Sequence, residues 1–307
     1  MKKASHLGLI LTIAAITLVS CTQESVMGES SPQVTNPTVS LTFFEQSMSD
    51  IGSESRANSS TPLMACHTFS ELEVALIPVG KESEAGYIIR QDSLEEDFGK
   101  VSLQVPAGDY HLVAVAAKTK MPFDGRIDIK SVTEVRFPNN IPTDMVYIYK
   151  DIKVESSISK QSFNAALTRG ISSFVLQAKD YPKASVAAEA IEIKGAGGTV
   201  FNPSTGTCKE EEVITREIGI DGKRYQSTIL HFTVYVVLKS PDVKNVEITA
   251  KTKDKDGKVL RSLSFNDVHL LQGKRTLYAG SVFTNDNSID FTVKNAEIED
   301  SGYSMNF

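Results

Sequence analysis

The feature that most constrains the fold of this chain is a series of short runs, apolar or alternating apolar with polar, bounded by turn residues and spread over nearly its whole length. Residues 72–77 (LEVALI), 86–89 (GYII), 101–105 (VSLQV), 110–116 (YHLVAVA), 132–137 (VTEVRF) and 145–149 (MVYIY) are of this kind. So are 173–176, 190–193, 246–250, 259–265 and 276–283 in the second half. Period-two alternation buries one face of a strand and leaves the other wet. Many short strands with little helical periodicity make the chain all-β, built from sandwiches. Residues 229–238 (ILHFTVYVVL) are apolar on both faces, which predicts a central strand covered on both sides. Asp221-Gly222 and Asp256-Gly257 stand between strand-like flanks and predict hairpins. Gly195-Ala-Gly-Gly198 lacks the following helix that a phosphate cradle needs, and reads as a loop.

A length of 307 residues suits two domains, each with its own core. The polar stretch 155–160 (ESSISK) is the expected linker, giving an N-terminal sandwich over 39–158 and a C-terminal sandwich over 159–307.

What precedes the strands is of a different nature. Lys2 and Lys3 lead into an apolar run over 7–19, followed by Ser20 and Cys21. The run is too short to span a bilayer core of about 30 Å, and its layout is that of an export signal over 1–20. A Cys after Leu18-Val19-Ser20 fits a lipobox, in which Cys21 is acylated and becomes the new N-terminus. More than one acyl chain gives stable anchoring. Residues 21–38, rich in Ser, Pro, Gln and Asn, then read as a flexible tether unable to bury a core. Losing Lys2 and Lys3 with the signal takes the formal charge from −6 to −8. That balance argues against nucleic-acid binding, which needs a basic face. With Cys21 committed to lipid, Cys66 and Cys208 remain. They could pair in an oxidising compartment or stay as separate buried thiols.

Signals for catalysis, metals or cofactors are lacking, and none of the three is expected. The histidines past the signal, His67, His111, His231 and His269, are isolated from one another in sequence. Asp254-Lys-Asp256-Gly257 echoes a calcium loop but lacks its later acidic ligands, so a turn explains it. No Cys/His cluster has zinc spacing. The chain has no Trp, which weakens a glycan-binding reading without removing it.

Two segments carry a family resemblance: 105–116 (VPAGDYHLVAVA) and 270–283 (LLQGKRTLYAGSVF), in that order after the lipobox. The chain resembles the fimbrillins, type V pilus subunits of Bacteroidales-type bacteria, over most of its mature length. The resemblance implies two tandem transthyretin-like β-sandwiches and a cell-surface fimbria at the outer membrane, with a role in adhesion. It further implies trypsin-like cleavage after an arginine, here between Arg56 and Ala57, removing an N-terminal strand within 39–56. A strand from a neighbouring subunit then fills the opened groove. The donor would lie in 288–307, where Ile289, Phe291 and Val293, then Tyr303, Met305 and Phe307, fall at alternating positions. Partners are thus other fimbrial subunits, plus the outer membrane through the lipid on Cys21. A subunit that escapes cleavage would serve as the anchor. The alternative is a surface-exposed glycan-binding lipoprotein of a nutrient-uptake system.

Overall fold

In a computed structural model of the chain, residues 36–46, 60–119, 125–284 and 291–297 are described. The signal, Cys21, Arg56, Ala57, Ile289, Tyr303, Met305 and Phe307 lie outside them. The first half forms β1 (Thr38–Gln46), β2 (Ser60–Pro62), the single turn α1 (Leu63–Cys66), β3 (Glu71–Pro78), β4 (Tyr87–Asp92) and β5 (Lys100–Gln104). It continues through β6 (Gly108–Ala117), β7 (Asp128–Ser131), β8 (Glu134–Arg136), β9 (Met145–Val154) and β10 (Lys160–Arg169). The second half comprises β11 (Ser172–Ala178), β12 (Val186–Gly198), β13 (Phe201–Asn202), β14 (Thr207–Cys208) and β15 (Glu212–Gly219). Last come β16 (His231–Leu238), β17 (Asp242–Asp254), β18 (Val259–Leu271), β19 (Lys274–Gly280) and β20 (Thr292–Glu297). The architecture is two tandem β-sandwiches.

In the first sandwich, β4, β3, β6 and β9 form an antiparallel sheet in that order. Facing it, β1 lies between β10 and β5, with β2 at its far end. Leu72, Val74, Leu76, Leu112 and Ala114 meet Val39, Leu41, Phe43, Val101 and Leu167 in the core between the sheets.

The boundary expected between residues 158 and 159 falls inside this sandwich. β10 pairs in parallel with β1 from Thr38↔Lys160 to Glu45↔Leu167, and its Ala165 and Leu167 enter the first core. The polar run 155–160 is the turn from β9 into β10. The crossing comes at Gly170, where a Cβ would meet Met145 and the Tyr147 ring at 2.5–2.9 Å.

Alternation also understates the burial of β3 and β6. β3 is buried at every residue but its last, because its second face is covered by a small sheet in which β13 pairs with both β8 and β14. Ala75, Ile77, Val113 and Val115 pack there against Ile129, Val135, Phe201 and Val237. Glu71 and Glu73 share that face and act as backbone surrogates. Their Oε1 atoms accept from the N–H groups of Ile127 and Ile129, each at 3.1 Å. Burial pushes the Glu71 carboxyl up to about 7 in spite of that bond. Because Phe201 pairs with Val135, the small sheet and its apolar cluster are shared by both sandwiches.

The second sandwich sets β15, β12, β17 and β18 against β16, β11, β19 and β20 around one core. Asp256-Gly257 turns β17 into β18 as expected, with Asp254 Oδ1 accepting from the Asp256 and Lys258 N–H groups at 3.0 and 2.9 Å. Asp221-Gly222 does not close a hairpin, since β15 pairs with β12 and not with β16. Gly195–Gly198 is not a loop either: it ends β12, with a register shift between Ile193 and Gly197. β16 alternates instead of being covered on both faces. Phe232, Val234 and Val236 enter the second core, Val237 turns to the shared cluster, and Thr233 and Tyr235 stay partly exposed.

Candidate functional site

β1 is the centre strand of its sheet, and the strands it separates depend on it. Along one edge it pairs with β10 over Thr38 to Glu45. Along the other it pairs with β5 over Thr38 to Thr42, then with β2 over Phe44 to Gln46. β10 has only Thr168 and Arg169 in register with another strand, β9, and β1 is the ladder partner of β5. Its sequence explains the placement: Val39, Leu41 and Phe43 point into the core at 0–1% exposure. Each such residue stabilises the folded state by about 1.5–3 kcal/mol.

The wall beside β1 is held by groups that are not on β1. Gly99 O accepts from the Phe43 N–H at 2.9 Å. The buried Gln91 carboxamide fixes that loop, with its Oε1 accepting from Gly99 N–H at 2.9 Å and its Nε2 donating to Lys100 O at 3.0 Å. Gly99 has φ +88°, and a Cβ there would come within 2.9 Å of Leu63 Cβ, so a glycine is needed. Removal of β1 would therefore leave a slot between β5 and β10 whose β5 side is independently braced.

At the far end of β1, Arg169 donates to both Asp144 oxygens at 3.0 Å and reaches Glu45 at 3.4 Å. Cys66, at the end of α1, is a free thiol donating to Pro62 O at 3.4 Å. Burial, then the Glu45 carboxylate, pushes it up to about 12. Cys208 is also free and its pKa is raised, first by burial. The disulfide that export would allow is thus not formed. Cys66 packs on the first core, Cys208 sits in β14 against the shared cluster, and neither is poised as the thiolate that exchange needs.

The candidate donor segment is only partly described. Phe291 packs on the second core, edge-to-face with Phe265 at 5.0 Å, and a Cβ on Gly280 would strike its ring at 2.6–2.7 Å. Val293 is exposed, and β20 pairs with β19 as an intramolecular edge strand. Sequence reading missed Gln91, Glu45 and Arg169, because none stands in a recognisable motif. The structure also gathers partners around a histidine isolated in sequence: His111 stacks on Tyr149, with Nδ1 2.6 Å from Asp151. Among the described residues no group of three or more His, Cys, Asp or Glu side chains is placed to hold a metal. No described helix is long and apolar enough to cross a membrane.

No protein-family model matches the sequence, and no curated protein matches it. Among solved structures the chain is similar to adhesin-like proteins. One is a candidate adhesin from Bacteroides ovatus, at 10% identity and TM-score 0.49, with 85% of this chain and 92% of that one covered. Another is a candidate cell adhesion protein from Bacteroides eggerthii, at 11% identity and TM-score 0.47, with 86% and 96% covered. A third is the tip fimbrial protein Mfa3 from Porphyromonas gingivalis with a C-terminal truncation, at 8% identity and TM-score 0.38, with 85% and 100% covered.

Proposed function

We propose that this chain is a structural subunit of a cell-surface fimbria, exported as a lipoprotein on Cys21 and assembled when β1 is exchanged for a strand of a neighbouring subunit. The observation that carries the reading is the position of β1 as the ladder joining β5 and β10. A cut between Arg56 and Ala57 severs β1 from the body while β2 and α1 stay with it. It also removes the acylated terminus. What then holds β1 is pairing and burial alone, and a strand of like pattern can replace it. The end of the chain offers that pattern: Tyr303, Met305 and Phe307 have the spacing of Val39, Leu41 and Phe43. Phe291 is committed to its own core, which narrows the donor to the residues beyond β20. The protein acts by assembly rather than by a reaction. A subunit that keeps Cys21 stays on the outer membrane as the anchor.

The test is limited trypsin digestion followed by electrophoresis in SDS without boiling, with intact-mass analysis. A new N-terminus at Ala57 and a ladder of oligomers are expected. Arg56→Ala should suppress both, and deletion of 303–307 should give a cut, folded monomer. Polymer formation by the deletion would show that this segment is not the donor.

A further inference from the structure

A second opening lies at the junction of the sandwiches. β15 pairs with β12, and β16 pairs with β12 only at Val237 and Leu238, so the two strands present facing edges without a ladder between them among the described residues. A cleft of about 560 Å³ opens there, bounded on its other side by the first-sandwich segment 138–144. That volume is typical of small-ligand sites.

Its charge pattern is unbalanced. Alternation puts Arg216 on the same side of β15 as Ile214 and Ile218, both packed on the second core. Burial lowers the Arg216 pKa, and no acidic group among the described residues offsets this. The acids around the cleft are already engaged elsewhere. Asp144 is gripped by Arg169, Glu217 by Lys253, and Glu212 accepts from the Thr199 N–H at 2.7 Å. A partly buried cation without a counter-charge costs free energy, which an anionic ligand would recover. Independently, the Thr143 hydroxyl in the same wall is buried with no hydrogen-bond partner among the described residues. Asn139 and Asn140, which line the cleft, hold consecutive left-handed conformations with φ of 55° and 56°.

We propose that this cleft binds an acidic saccharide, with a sugar carboxylate on Arg216 and a sugar hydroxyl on Thr143. A peptide strand added between β15 and β16 would need a groove for alternating apolar side chains. Ile214 and Val234 are already buried, at 5% and 3% exposure, so among the described residues their face of the two strands has no room for added apolar side chains. Beside the charged Lys118, Arg216 and Glu217, the lining carries neutral polar groups, Thr215, Thr233 and the two asparagines, and the Tyr235 ring. Those groups suit sugar hydroxyls and a sugar face.

The test is calorimetric titration of the full chain with trigalacturonate and with sialyllactose, each against its neutral counterpart, galactotriose and lactose. At least one acidic sugar should bind about tenfold or more tightly than its counterpart, the size of one charge-assisted hydrogen bond. Arg216→Gln should erase that preference without lowering Tm, since it removes an uncompensated cation. Thr143→Val should weaken binding several-fold. Equal binding of acidic and neutral sugars, or binding of none, overturns the proposal. So does an Arg216→Gln variant that loses stability yet keeps the preference. Tighter binding of a tetraglutamate peptide than of either acidic sugar would overturn it in favour of strand addition.

Discussion

Glu45 Oε1 lies 3.4 Å from Arg169 Nη2, so β1 is tied by charge to the residue that ends β10. The same guanidinium clamps Asp144, whose side chain is 4% exposed. The two acids are therefore unequal. Glu45→Gln leaves the Asp144 clamp intact and should cost under about 1 kcal/mol. Arg169→Met strands a buried carboxylate and should cost about 3–5 kcal/mol. Urea denaturation of the uncut protein measures both.

Leu41→Ala and Phe43→Ala remove buried volume at the centre of β1. In the uncut subunit they should cost about 2–5 and 3–5 kcal/mol respectively. In a cut subunit whose slot holds another strand, neither should change stability. A loss in both states would mean that β1 is never exchanged.

Cys66 reports on β1 directly. Burial and Glu45 hold its thiol protonated, with the pKa up to about 12. Departure of β1 takes Glu45 away, so alkylation by iodoacetamide at pH 8 should be slow before cleavage and strand loss and faster after. An unchanged rate in the assembled fibre would argue that β1 remains in place.

The fold class, and most strands, were legible in period-two alternation, because burying one face of a sheet writes itself directly into sequence. The errors fall where that rule gives way. β3 and β6 bury both faces since the β7–β8 and β13–β14 ribbons lie over them, a covering set by segments distant in the chain. Residues 155–160 looked like a linker because a tight turn and a domain boundary share a polar composition. The site was legible only in part: the alternating Val39, Leu41 and Phe43 are local, whereas Gln91, Arg169 and Arg216 acquire their roles from tertiary neighbours. An Arg between two inward isoleucines in 214–218 was nevertheless a readable signal.

Gly280→Ala should loosen the last described strand. A Cβ there meets the Phe291 ring at 2.6–2.7 Å, so the ring must shift and β20 loses its anchor on the second core. Hydrogen exchange should quicken across 292–297 and stay unchanged in β11 and β16. Uniform quickening would instead indicate global destabilisation.

Glu189 gives the protein a pH dependence. It is buried, Thr252 donates to its Oε2 at 2.7 Å, and its Oε1 has no partner among the described residues. Burial raises its pKa to about 7. The folded state therefore holds this proton more tightly than the unfolded chain. Its contribution is complete below about pH 4.5, the model-compound range, and is lost as pH rises through about 7. Glu189→Gln should be close to neutral at pH 5 and stabilising by about 1–3 kcal/mol at pH 8. Thermal melts across that range check the sign.

The shared cluster of Val135, Phe201 and Val237 has a mechanical corollary. Tension applied at the two ends of the molecule cannot swing one sandwich away from the other without tearing a closed apolar seam and the β8–β13 pairing. Such a body resists load as a strut rather than as beads on a string. Compliance in any array of these subunits would then reside in the strands that join one copy to the next.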